Sequence, residues 1–172
     1  LKLKYWLKNR GLKVDNLTFS DASGLSRNNR VTTKLISEFL NKMKYSKNFS
    51  TFQSSLSIIG VRGTLAKRFT NSELQGKFFG KTGTLSNVFA LSGYLYKSNK
   101  PLIVSIIQNS KNIDREKTFT LLKNIYELEK KWSCNILKAP FSSFPPAVLY
   151  YGKSIGFYQL SSIKVQAAAA AI

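Results

Sequence analysis

Apolar positions recur with a helical period at both ends of residues 1–133 and with a strand period between them. Leu3, Trp6 and Leu7 share one helical face within residues 1–9, and Gly11 stands where a left-handed cap would close that helix. A helix already under way at the first residue reads as a cut chain. Residues 17–20 pattern as a short strand running into the small-residue turn Asp21-Ala22-Ser23-Gly24-Leu25-Ser26. Thr32 or Thr33 is placed to cap a helix whose core face is Leu35, Ile36, Phe39, Leu40 and Met43. Residues 57–68 read as a glycine-punctuated loop entering a short helix that ends before Asn71. Three strand patterns follow closely, at 76–85, 88–96 and 102–108, and predict an antiparallel sheet. Phe119, Leu122, Ile125, Tyr126 and Leu128 then return to helical spacing over 114–132, with Asp114 and Glu116 at the favourable N-terminal end. This last helix should pack on the sheet. Beyond Cys134 the pattern decays among Pro140, Pro145 and Pro146, and the alanine run 167–171 is compatible with a helix.

At 172 residues and 43% hydrophobic content the chain can bury one core, and its apolar runs fall far short of the roughly 18 residues that would suggest a membrane span. The organisation expected is one domain portion over 1–133 and a tail over 134–172 to which no domain is assigned. No leader pattern is visible. Cys134, the single cysteine, excludes an internal disulfide and a cysteine-cluster metal site. The absence of histidine excludes a Ser-His-Asp triad and a His-ligated metal, so any nucleophile here would need lysine as its base. Twenty-seven Lys and Arg against eight Asp and Glu give +19, a field that attracts polyanions. The lysines are spread from Lys2 to Lys164 and not gathered in one block, which disfavours nucleic acid as the partner.

The candidate chemistry centres on Lys81-Thr82-Gly83-Thr84-Leu85, within one strand pattern and followed by another. At a sheet edge, a lysine and hydroxyls can hold a carboxylate while a peptide lies alongside the strand, and glycine admits close backbone approach. Lys-Thr-Gly is one of three motifs marking penicillin-binding proteins and serine β-lactamases, the others being Ser-x-x-Lys and Ser-x-Asn. Asp21-Ala-Ser-Gly-Leu-Ser-Arg27, Gly60-Val-Arg-Gly-Thr-Leu-Ala-Lys-Arg68, Gly80-Lys-Thr-Gly-Thr-Leu85 and Leu91-Ser-Gly-Tyr94 occur in order. Over residues 1–109 the chain thereby resembles the C-terminal part of the S13-type D-Ala-D-Ala carboxypeptidases, a class of penicillin-binding protein.

That resemblance implies an α/β chain of α+β type, part of the penicillin-binding fold, with an antiparallel sheet, a C-terminal helix on one face and part of a helical subdomain before it. It implies that Lys81, Thr82 and Thr84 help bind a substrate's terminal carboxylate, that Gly83 keeps the strand open, and that the Thr84 backbone N–H is an oxyanion-hole donor. Arg27 and Ser86 fall where the family recognises the free end of the stem-peptide side chain. The implied partners are the peptidoglycan stem peptide ending in D-Ala-D-Ala, β-lactams, and a missing N-terminal part of the same protein. The implied location is the periplasm or cell surface, with no metal or organic cofactor. The nucleophile is expected upstream of residue 1. Ser161-Ser-Ile-Lys164, the sole Ser-x-x-Lys, follows Lys-Thr-Gly instead of preceding it and reads as a decoy. Ser-x-Asn occurs four times, at Ser26, Ser46, Ser110 and Ser133, too often to inform. Two expectations follow: a chain inactive by itself, and a sheet with an uncovered edge and marginal stability. The competing class is a non-catalytic, polyanion- or cell-wall-binding remnant, motivated by the +19 charge.

Overall fold

The structure, a computed structural model, describes residues 2–97, 99–135, 158–160 and 163–171. Its helices are α1 (Lys2–Lys8), α2 (Thr33–Lys44), α3 (Phe49–Ser54) and α4 (Arg115–Asn135). Its strands are β1 (Ser57–Ile58), β2 (Phe78–Leu85), β3 (Val88–Leu95), β4 (Leu102–Asn109), β5 (Tyr158–Leu160) and β6 (Ile163–Ala171). All pairings are antiparallel, in the order β1-β2-β3-β4-β6-β5.

The three predicted central strands are present, with ends differing by one or two residues. Alternation along them divides the sheet into two faces. Phe78, Phe89, Leu91, Leu95, Val104 and Ile106 pack against Phe119, Leu122, Ile125 and Tyr126 of α4, as the periodicity predicts. The opposite face carries Tyr94 and Ile103, which pack with Leu40 of α2 and Phe49 and Phe52 of α3. Burial on both faces explains why β4 reads as a nearly unbroken apolar run. Thr32 caps α2 by accepting from the Leu35 N–H at 3.1 Å, and α2 joins two cores, with Leu35 in a cluster with Leu7, Leu12, Val14 and Leu17. The Asp114 carboxylate accepts from the N–H groups of Glu116 and Lys117 at the start of α4.

Two expectations are corrected, that of a strand at 17–20 and that of a helix at 167–171. Residues 17–20 make only an isolated bridge, Thr18 to Arg30, because Ser20 N–H is taken by the Asn29 side chain and the chain turns there. Residues 57–68 form β1, a turn and then the short helix expected before Asn71, which is a single 3-10 turn at Gly63–Leu65. The alanine run lies in β6, paired with β4 from Leu102–Ala171 to Gln108–Val165. The unpaired N–H and C=O groups of a strand edge outweigh alanine's local helix preference there. The β4 edge is therefore covered, and among the described residues β2 keeps an open edge from Lys81 onward. In α1 only Leu7 is buried; Trp6 stays half-exposed beneath the Arg10 guanidinium, 3.5 Å from its ring centre. No helix among the described residues is long and apolar enough to cross a membrane.

Candidate active site

Lys81, Thr82, Gly83 and Thr84 lie consecutively in β2, register-paired with Ser92, Leu91, Ala90 and Phe89 of β3. On the other side β1 covers only Phe79 and Gly80. From Lys81 onward β2 has no second partner strand among the described residues. Which backbone groups face that open edge follows from two hydrogen bonds. The Phe78 carbonyl accepts from Ile59 on the β1 side, whereas the Lys77 carbonyl accepts from Tyr96 on the β3 side. In an antiparallel strand each residue's N–H and C=O point the same way and successive residues alternate. Thr82 and Thr84 therefore turn their backbone groups toward the open edge, in phase with Phe78.

Side chains alternate too, so Lys81 and Thr82 leave the strand on opposite faces and can grip one group only if it lies at the edge between them. The Lys81 ammonium bends to that edge and donates to the Thr82 carbonyl. It is exposed, as are Gly83 and Thr84. The Thr82 hydroxyl is 2.9 Å from the Thr64 hydroxyl, which is 3.2 Å from that of Ser57.

Two glycines of this region answer to internal packing and one does not. A Cβ on Gly93 would sit 2.1 Å from the Phe79 carbonyl oxygen and 2.5 Å from Gly80 Cα, and one on Gly80 would sit 2.8 Å from the Ser92 carbonyl oxygen. The paired glycines thus let β2 and β3 approach. A Cβ on Gly83 meets only the Ala90 Cβ, at an ordinary 3.6 Å, and its backbone is outside the left-handed region. Nothing among the described residues demands glycine at position 83.

Arg27 and Ser86, 59 residues apart, meet: the Arg27 guanidinium donates to the Ser86 hydroxyl at 2.5 Å beside the end of β2. Arg27 is carried by the Asp21 turn. The Asp21 carboxylate accepts from the N–H groups of Gly24 (3.0 Å) and Ser26 (2.7 Å), the Asn29 side chain (2.8 Å) and the Ser23 hydroxyl (3.1 Å). The Asn29 bond foremost, with those from Ser26, Gly24 and Ser23, holds its pKa below the ordinary 3.8 against a smaller opposing effect of burial.

Three Ser-x-Asn runs have a local use. In each, the asparagine N–H donates to the hydroxyl of the serine two residues back, for Ser26, Ser46 and Ser110. The side chains of Ser133 and Cys134 lie outside the described residues, as does Ser161. Sequence reasoning missed Ser57 and Thr64 as site neighbours. The signal available was Gly63 beside Thr64 within the Gly60–Arg68 run.

The family model described as the D-Ala-D-Ala carboxypeptidase 3 (S13) family matches residues 2–131. The chain belongs to the S13 family. As an S13 member it is 39% identical over 106 residues to a D-alanyl-D-alanine carboxypeptidase of Actinomadura sp., covering 58% of this chain and 20% of that protein. It is 30% identical over 97 residues to the D-alanyl-D-alanine carboxypeptidase DacB of Haemophilus influenzae, covering 55% and 20%. Among solved structures, penicillin binding protein 4 of Haemophilus influenzae aligns with a TM-score of 0.64 at 25% identity, over 74% of this chain and 30% of that one. The same protein complexed with a β-lactam aligns with a TM-score of 0.63 at 25% identity, over 74% and 31%. This S13 chain thus spans about a fifth of the length of the curated relatives it matches.

Proposed function

We propose that this chain is the substrate-holding part, residues 1–133, of a serine-type D-Ala-D-Ala carboxypeptidase that acts on peptidoglycan stem peptides in the periplasm or at the cell surface. The observation that carries the reading is the open edge of β2, where Lys81 and the outward backbone groups of Thr82 and Thr84 stand together. A peptide laid along that edge gains main-chain hydrogen bonds as an added strand would, and its terminal carboxylate falls to Lys81 and the threonine hydroxyls. The Thr84 N–H is one oxyanion donor; the nucleophile's own N–H, from the missing N-terminal part, is the other. Gly83 keeps the approach clear, which accounts for a glycine that internal packing does not require. Arg27, with Ser86, receives a carboxylate at the end of the stem-peptide side chain. A serine supplied from outside this chain attacks the D-Ala-D-Ala amide, D-alanine leaves, and water hydrolyses the ester. β-Lactams acylate the same serine.

The reading is tested by reacting labelled penicillin with the 172-residue chain and with the product of the upstream-extended reading frame, each followed by intact mass. The expected result is labelling of the longer product alone. Labelling of the short chain overturns it and directs attention to Ser161. Labelling of neither favours the non-catalytic polyanion- or wall-binding reading, whose motive is the +19 charge and whose mark is salt-sensitive retention on anionic polymers.

A further inference from the structure

Three hydroxyls run in a line toward the open edge of β2. The Thr64 N–H donates to the Ser57 hydroxyl oxygen at 3.2 Å, the Ser57 and Thr64 hydroxyls are 3.2 Å apart, and the Thr64 and Thr82 hydroxyls are 2.9 Å apart. The line is held at Ser57 and at Thr64. Ser57 is in β1, register-paired with Gly80, and Thr64 precedes Leu65, which is fully buried in the core beneath α4. Gly63, at φ +70, fits against Ser57 only because it lacks a side chain; a Cβ would lie 2.4 Å from the Ser57 hydroxyl oxygen. The 3-10 turn is thereby fixed at its contact with β1, and Thr64 reaches β2 from a rigid base.

Each hydroxyl has one proton and two lone pairs, so the line can run in either direction until something sets it. An anion at the β2 edge sets it, because a carboxylate only accepts. Once the Thr82 proton turns to the carboxylate, the Thr82 oxygen is free to accept from Thr64, and the Thr64 oxygen from Ser57. Hydrogen bonds aligned in this way polarise one another. We infer that Thr64 is a positioning residue for carboxylate recognition: backed by Ser57, it orients the Thr82 hydroxyl as a donor to the acidic end of the substrate. The inference rests on the carboxypeptidase reading and assigns a role to residues outside the Lys-Thr-Gly motif.

The test uses the full product of the upstream-extended reading frame and a thioester acyl donor ending in a carboxylate, compared with the same donor methylated at that carboxylate. Thr64→Val lowers kcat/KM for the carboxylate donor by roughly 2–10-fold, the worth of one such hydrogen bond, and leaves the methylated donor unchanged. Thr64→Ser restores the carboxylate donor, and Ser57→Ala weakens it to a smaller degree than Thr64→Val. An equal fall for both donors makes Thr64 structural and overturns the inference, as does parental kcat/KM in Thr64→Val. If the parent protein turns over the methylated donor alone, the carboxylate role fails while acylation stands. If it turns over neither, the carboxypeptidase reading fails and takes this one with it.

Discussion

Gly83→Ala and Gly93→Ala should have opposite effects, and the contrast separates what the fold needs from what the ligand needs. At Gly93 the new methyl meets backbone, 2.1 Å from the Phe79 carbonyl oxygen and 2.5 Å from Gly80 Cα, so β2 must move away from β3. Overpacking of this kind costs typically about 1–3 kcal/mol, and here no flexible side chain can absorb it. At Gly83 the methyl lands 3.6 Å from the Ala90 Cβ, an ordinary contact, at a backbone conformation alanine adopts freely. Removing glycine's unfolded-state entropy there stabilises by about 0.4–1 kcal/mol. Melting temperature, followed by far-ultraviolet circular dichroism, should fall in Gly93→Ala and hold or rise in Gly83→Ala. Penicillin acylation of the full reading-frame product should nonetheless drop by about 10²-fold in Gly83→Ala, because a misplaced ligand loses the oriented geometry that drives reaction. A Gly83→Ala variant that melts as low as Gly93→Ala would refute the packing argument. One that acylates at the parental rate would refute the assignment of the β2 edge to the ligand.

Three further outcomes follow from the site and its surroundings. Arg27→Ala should leave stability within about 0.5 kcal/mol, since Arg27 and Ser86 are exposed, while reducing preference for acyl donors with an acidic side-chain end by about tenfold, read from kcat/KM ratios. The Asp21 turn, whose carboxylate pKa is held below 3.8, contributes stability fully present above that value and lost as pH falls through the lower folded value; the amide resonances of Gly24 and Ser26 should therefore shift only below about pH 4. Tyr94 is fully buried and donates to the Leu40 carbonyl at 2.7 Å, and burial first, then neighbouring Tyr96, pushes its phenol pKa upward. Its contribution is present below the unfolded value of about 10 and lost as pH rises beyond it, so alkaline unfolding should be blunted in Tyr94→Phe, which costs about 1 kcal/mol at neutral pH.

The central sheet and α4 were legible in the sequence because their burial is periodic: β2, β3 and β4 sit between turn residues, and Phe119, Leu122, Ile125 and Tyr126 repeat with the helix. What escaped was short or non-local. At six residues, α3 is too brief for a periodic signal, and it is held by Phe49 and Phe52 ring contacts with Tyr94 at 5.2 and 6.5 Å, over forty positions away. The two-residue β1 is defined as a strand of the sheet by its non-local pairing with Phe79 and Gly80. Alanine at 167–171 has no local preference for a strand, and the edge of β4 recruits it. In the candidate site, Lys-Thr-Gly was readable as a motif, and Arg27 and Ser86 as a pair only through family resemblance. The hydrogen bonds from Ser57 through Thr64 to Thr82 depend on a 3-10 turn and a strand register that no local pattern encodes.

The most direct test of the β2 edge as a substrate-holding site is D-alanine release from a peptide ending in D-Ala-D-Ala, measured for the full reading-frame product and its Lys81→Ala variant at matched melting temperature. The account predicts release by the parent and a fall of about 10²-fold or more in Lys81→Ala. Undetectable release by a folded parent, or parental release by Lys81→Ala, would contradict it.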